Sequence, residues 1–154
     1  MVLILAFSSG CVAQQLWQGT RYGMSKAEVD KLVGPHLKQG ISRSSFYLDS
    51  FEHICGAEFR VDFYFFDEDS DKKDLGSVSL ESQSGNPNGT IGNCVMSQLT
   101  AELGKPQTDK RNGPGFWWFG HRFFGARTTL FISPSRVFIG HERHRPLIDW
   151  PQIP

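Results

Sequence analysis

Among the five histidines of the chain, His141 and His144 in His141-Glu142-Arg143-His144, together with His121, are the ones whose clustering could hold a metal ion. Histidine ligands need a spacing that brings their ring nitrogens to one centre, as in H-E-x-x-H on one helix face. Here the spacing is H-E-x-H, Arg143 stands between the rings, and the segment reads as a strand end running into Pro146. A solvated basic strand end accounts for the same residues, so no metal and no other cofactor is expected. Asp67, Asp69 and Asp71 alternate as in a calcium loop, but Lys72 stands where the loop needs glycine and Val78 where it needs glutamate. An acidic, soluble hairpin loop over Asp67–Asp74 is the simpler reading, with a weak calcium site left open. No serine has a G-x-S-x-G context, and no glycine-rich phosphate loop precedes a helix. The chain therefore shows no recognisable catalytic residue and is expected not to be an enzyme.

The aromatic residues point instead to binding. Phe116-Trp117-Trp118-Phe119 is apolar on both faces of an expected strand, so one of the two tryptophans must turn away from the core. Either the C-terminal tail, through Leu147, Ile148 and Trp150, covers that ring, or the ring is an exposed anchor. In the second case it shares a sheet face with Arg60, Asp62 and Tyr64. Tryptophan, tyrosine and arginine are the residues most enriched in binding hot spots. The candidate interface is therefore Arg60, Asp62, Tyr64, Trp117 and Trp118.

Several elements must position these residues. Cys55, Ala57, Phe59, Val61, Phe63 and Phe65 alternate with Glu58, Arg60, Asp62 and Tyr64, which predicts a strand over Cys55–Phe66 with one buried and one wet face. Val78 and Leu80 mark the inward side of a returning strand. Upstream, Ser25 and Glu28 have the spacing of a capping box, and Met24 with Val29 that of a hydrophobic staple. They predict a short helix that continues through Leu32 and Val33 and stops at Gly34-Pro35. After a Gly/Asn/Pro/Ser linker over 82–92, Asn93 is placed to cap a second helix through Leu103, closed by Gly104-Lys105-Pro106. Strands then follow at Phe116–Phe119, with an extension to Phe124 as the alternative, and at Thr128–Ile132 and Arg136–His141, and the proline-bearing tail after Arg145 reads as irregular. The expected fold is α+β: two tandem helix-plus-antiparallel-strand units, about 20–81 and about 93–145, sharing one sheet, with helices on one face and the other face open. Residues 16–154 then form a single domain.

Composition bounds the partners. The 16 Lys and Arg residues balance the 16 Asp and Glu residues, which leaves no net field for nucleic acid. Acids dominate from Asp49 to Glu81 and bases from Lys105 to Arg145. Residues 1–15 read as a remnant signal or lipoprotein-like leader. Ser8-Ser9-Gly10-Cys11 is lipobox-like and makes Cys11 a lipidation candidate, whereas Cys11-Val12-Ala13 has the look of an ordinary signal-peptidase site. Any membrane attachment would run through a lipid on Cys11, and the expected location is the periplasm or the outer membrane. Either cleavage leaves Cys55 and Cys94, which are expected to join as a disulfide; two unrelated buried thiols are the alternative.

Tyr22-Gly23-Met24-Ser25-x-x-Glu28-Val29 followed by Leu32-Val33-Gly34-Pro35 resembles the signature helix of the small-protein-A/outer-membrane-lipoprotein group, which includes the E subunit of the barrel assembly machinery. The phrase also resembles the opening of each repeat of the secreted β-lactamase inhibitory proteins. The second helix, Cys94 to Pro106, keeps only the Leu-Gly-x-Pro stop. The resemblance implies tandem helix-and-sheet units and a protein that binds other proteins of the envelope or the extracellular space. An exported inhibitor, immunity protein or assembly factor is the leading expectation. A small-ligand or cell-wall-fragment binder, with the same aromatics stacking on a sugar, comes second. A metal-assisted enzyme is a distant third.

Overall fold

A computed structural model of the chain describes residues 17, 19–34, 37–67, 73–108, 115–120 and 126–143. The leader with Cys11, most of the acidic loop with Asp69 and Asp71, His121, His144 and the tail after Arg145 lie outside the described residues. The capping phrase forms its helix. Helix α1 spans Lys26–Val33, with Ser25 at the N-cap. The Glu28 carboxylate accepts the Ser25 N–H at 2.8 Å, and the Ser25 hydroxyl accepts the Glu28 N–H at 3.4 Å. The Ser25 N–H, and the Ser25 hydroxyl that also donates to Glu28 Oε2 at 2.8 Å, hold the Glu28 carboxyl below its usual range. Val29 is fully buried and Met24 packs against the same core, as a staple requires.

Between Gly34 and Cys55, where the sequence signals no element, lie two strands: β1, Leu37–Gln39, and β2, Ser45–Ile54. Ile54 pairs with Ala57, and between them Cys55 and Gly56 take φ of 54° and 74°. Two left-handed residues in a two-residue loop match the right-handed twist of the strands they join. Cys55 therefore belongs to a hairpin turn and is not the first inward position of a strand. Strand β3, Ala57–Asp67, follows with its alternation as expected, and β4, Lys73–Ser82, returns beside it.

Helix α2 spans Thr90–Leu103 and begins three residues before Asn93, which is not its cap. The buried Asn86 performs that role from outside the helix. Its Oδ1 accepts the N–H groups of Ile91 and Gly92 at 3.1 and 3.3 Å, and its Nδ2 donates to the Ser133 carbonyl at 3.3 Å. One side chain thereby ties the helix start to the far end of the chain. Strands β5 (Gln107–Thr108), β6 (Phe116–Gly120), β7 (Ala126–Ile132) and β8 (Val137–Arg143) complete the described fold.

All eight strands form one antiparallel sheet in the order β1-β2-β3-β4-β8-β7-β6-β5. Pairing of β4 with β8 at the centre merges the two halves. Buried residues from both, including Phe63, Val78, Ile139 and Leu130, make a single core cluster into which α1 sends Val29 and α2 sends Val95 and Leu99. The expectation of two tandem helix-strand units with a helical layer over one face is thus corrected to a mostly-sheet fold, eight strands against two helices among the described residues. Geometry gives the reason. Helices of 8 and 14 residues are only about 12 and 21 Å long. An eight-stranded sheet is about 34 Å wide. Such helices plug the core locally and cannot roof the sheet. Trp17 adds to the inward side, its ring edge-on to Phe63 at 5.8 Å. Among the described residues no helix is long and apolar enough to cross a membrane.

Candidate functional site

Strand β3 has two unlike rows. Phe59, Val61 and Phe63 are completely buried, whereas Glu58 is exposed and Arg60 and Tyr64 are half-buried on the outer face, the one turned away from the core cluster. The ladder fixes the neighbours of that outer row. Arg60 lies between Phe51 and Glu81, Asp62 between Tyr47 and Ser79, and Tyr64 between Ser45 and Ser77. Arg60 Nε donates to Asp62 Oδ2 at 3.0 Å. The charge-assisted bond raises the guanidinium pKa further and gives the buried Asp62 carboxylate its partner. Arg60, Asp62 and Tyr64 are therefore brought together, as expected of one face of one strand.

The same face continues across β4, β8, β7 and β6. Glu81 pairs with Phe138, Phe138 with Phe131, and Phe131 with Phe116, so an aromatic row crosses three strands. The Phe116 and Phe131 rings sit 4.4 Å apart and tilted by 33°. The Arg136 guanidinium lies 5.6 Å over Phe131 and donates to Glu81 at 3.1 Å. Beside this row Arg127 bonds Glu142, Nε to Oε1 at 2.9 Å. At Gly140 a Cβ would come within 2.6 Å of Thr129 Oγ1 and 3.2 Å of the Phe138 ring, so only glycine lets that ring lie along the strand. The sequence reading misses Phe116, Phe131 and Phe138 as members of this face. Their strands are apolar on both sides, and only the long-range register sorts one side from the other.

That register also separates the two tryptophans. Trp117 pairs with Leu130 and packs against the core, so it does not belong to the outer row and is withdrawn from the candidate interface. Trp118 stands opposite Thr129 and Gln107 in the ladder.

Cys55 and Cys94 form a disulfide, with Cα atoms 5.9 Å apart. It fastens α2 to the β2–β3 turn, across the sheet from β5 and β6, to which the helix leads. His141 faces inward, paired with Val78 and Thr128, and its Nδ1 lies 2.9 Å from the Thr128 hydroxyl. Burial pushes its pKa down to about 4, so the ring is neutral near pH 7. A neutral core imidazole with a hydroxyl partner is the role the structure gives it. Among the described residues no three His, Cys, Asp or Glu side chains stand close enough to hold a metal ion. A surface hollow of about 410 Å³ lies between α1 and β1, lined by Lys26, Asp30, Lys31 and Leu37, away from the aromatic row.

Comparison of the chain with family models, with curated proteins and with solved structures returned no match.

Proposed function

We propose that this chain is an exported envelope protein that binds another protein through the outer face of its sheet and carries out no reaction of its own. Inhibitor, immunity protein and assembly factor all fit that description, and the likeness of the Tyr22–Pro35 phrase to the small-protein-A and β-lactamase inhibitory groups supports the same class. The observation that carries the reading is the run of half-buried aromatic and arginine side chains from Tyr64 and Arg60 to Phe138, Phe131 and Phe116. Four inter-strand steps separate β3 from β6, so the run is about 19 Å wide. That width matches one side of a protein–protein footprint better than the cleft that encloses a small ligand. Ion pairing on this face is internal, Arg60 with Asp62, Arg136 with Glu81 and Arg127 with Glu142. A partner can therefore desolvate these three arginines without leaving any of them as a lone charge.

An affinity capture from envelope extract, with the wild-type chain and Tyr64→Ala and Phe138→Ala variants as bait, tests the reading. A protein retained by the wild type and lost by both variants supports it. A protein retained equally by all three moves the interface off this face. A sugar or peptidoglycan fragment recovered in its place favours the small-ligand alternative.

A further inference from the structure

Strand β2 is paired with β3 along one side, but on its other side β1 reaches only Phe46, Tyr47 and Leu48. Among the described residues no strand pairs with Asp49–Ile54 on that side, which leaves a sheet edge with ladder groups facing outward. Phe51 on this edge is 46% exposed, and the side chains of Asp49 and His53 are 51% and 73% exposed. From Phe51 to Ile54 the ladder with β3 is regular, so the segment is already held in strand geometry.

We propose that this edge pairs with the same edge of a second copy of the chain, antiparallel, with the two Phe51 residues facing each other across a two-fold axis. The order Asp49-Ser50-Phe51-Glu52-His53 makes that register complementary. Pairing about Phe51 sets Asp49 of each copy opposite His53 of the other, on the outer face, where an imidazole N–H donates to the carboxylate. Asp49 keeps Lys38 at 2.7 Å and His53 keeps Glu58 at 3.7 Å. The contact is then an alternating row: Lys38, Asp49, His53 of the second copy, Glu58 of the second copy. Pairing about Glu52 would face two carboxylates, and pairing about His53 would set Phe51 against the Cys55 turn. Both registers are disfavoured, the first by like-charge repulsion. An isologous contact of this kind closes on itself, and it joins the outer faces of the two copies into one wider surface.

The test uses the full chain in a Cys11→Ser background, with sedimentation over a concentration series reaching the millimolar range. A reversible dimer is expected, and Phe51→Lys should raise its dissociation constant roughly tenfold or more, a loss of about 1.4 kcal/mol, while the monomer remains cooperatively folded. Phe51→Cys should cross-link to itself on oxidation because the residue lies on the axis, whereas Ser50→Cys, which faces Glu52 of the second copy, should not. A chain that stays monomeric throughout, a dimer indifferent to Phe51→Lys, or equal cross-linking at both positions would overturn the proposal.

Discussion

From β3 two rows of side chains leave one backbone in opposite directions and meet opposite fates. Phe59, Val61 and Phe63 lose all contact with solvent, while Arg60 and Tyr64, one residue along, keep part of theirs. The inward row contributes to stability through apolar area and close packing, where any lost volume is felt. On the outer row Asp62 is buried beneath its ion pair with Arg60, while Tyr64 is held by its cross-strand neighbours and keeps part of its surface in solvent, so its ring contributes less to folding than the inward phenylalanines do. The difference teaches that one strand separates what holds the fold from what stays accessible; if the proposed interface is right, recognition is carried by the residues alternate to those of the core, and each can be altered while the other is kept.

The largest effect that would sharpen this contrast lies on the inward row. Phe59→Ala removes a fully buried ring from the middle of the core and should cost about 3–5 kcal/mol in denaturant titration. Next comes the disulfide. Cys94→Ser frees α2 from the β2–β3 turn and should lower stability by about 2–4 kcal/mol. An unaltered midpoint would mean that Val95, Leu99 and Asn86 hold the helix alone.

His141 adds a pH dependence to the inward side. Its folded pKa of about 4 lies below the ordinary 6.5, so the unfolded chain takes up the proton first. Stability from this group is complete above 6.5 and is lost as pH falls from 6.5 towards 4, by up to about 3 kcal/mol. His141→Gln should flatten that window in melting curves collected against pH, and an unchanged slope would place the titration elsewhere. The smallest effect is local. Ser25→Ala removes the acceptor of the Glu28 N–H and should cost about 1 kcal/mol. An equal midpoint for mutant and wild type would show that the helix start does not depend on its cap.

What was legible in the sequence follows the range of each interaction. The capping box at Ser25 and the alternation of β3 involve residues within a turn or a strand of each other, and both were readable. The joining of Cys55 and Cys94 followed from counting cysteines, and their proximity came only with the fold. Strand β2 was hidden because Tyr47 and Phe51 on its outer side are as apolar as Phe46 and Leu48 on its inner side, and an irregularity in the ladder between Tyr47 and Phe51 blurs the period. The start of α2 was misplaced at Asn93 because its real cap, Asn86, lies outside the helix and gains its orientation from Ser133. For the candidate face, Arg60, Asp62 and Tyr64 were visible as one row, but the expected wet surface fails at Asp62, which is buried against Arg60. The inward turn of Trp117 and the aromatic row of Phe116, Phe131 and Phe138 depend on the pairing of β6, β7 and β8, which no local pattern encodes. The helical layer failed for a similar reason: two helix signals say nothing of how many strands lie between them.

Adjacent residues on β3 offer the most direct measurement. Phe63→Ala and Tyr64→Ala are compared for unfolding free energy and for affinity towards the captured partner. Phe63→Ala should lose about 3–5 kcal/mol of stability and, under conditions where it remains folded, bind as the wild type does. Tyr64→Ala should melt close to the wild type and lose about 2 kcal/mol or more of binding. Tyr64→Ala binding normally while the partner still engages the chain would contradict the account, because the outer row of the sheet would then not be the recognition surface.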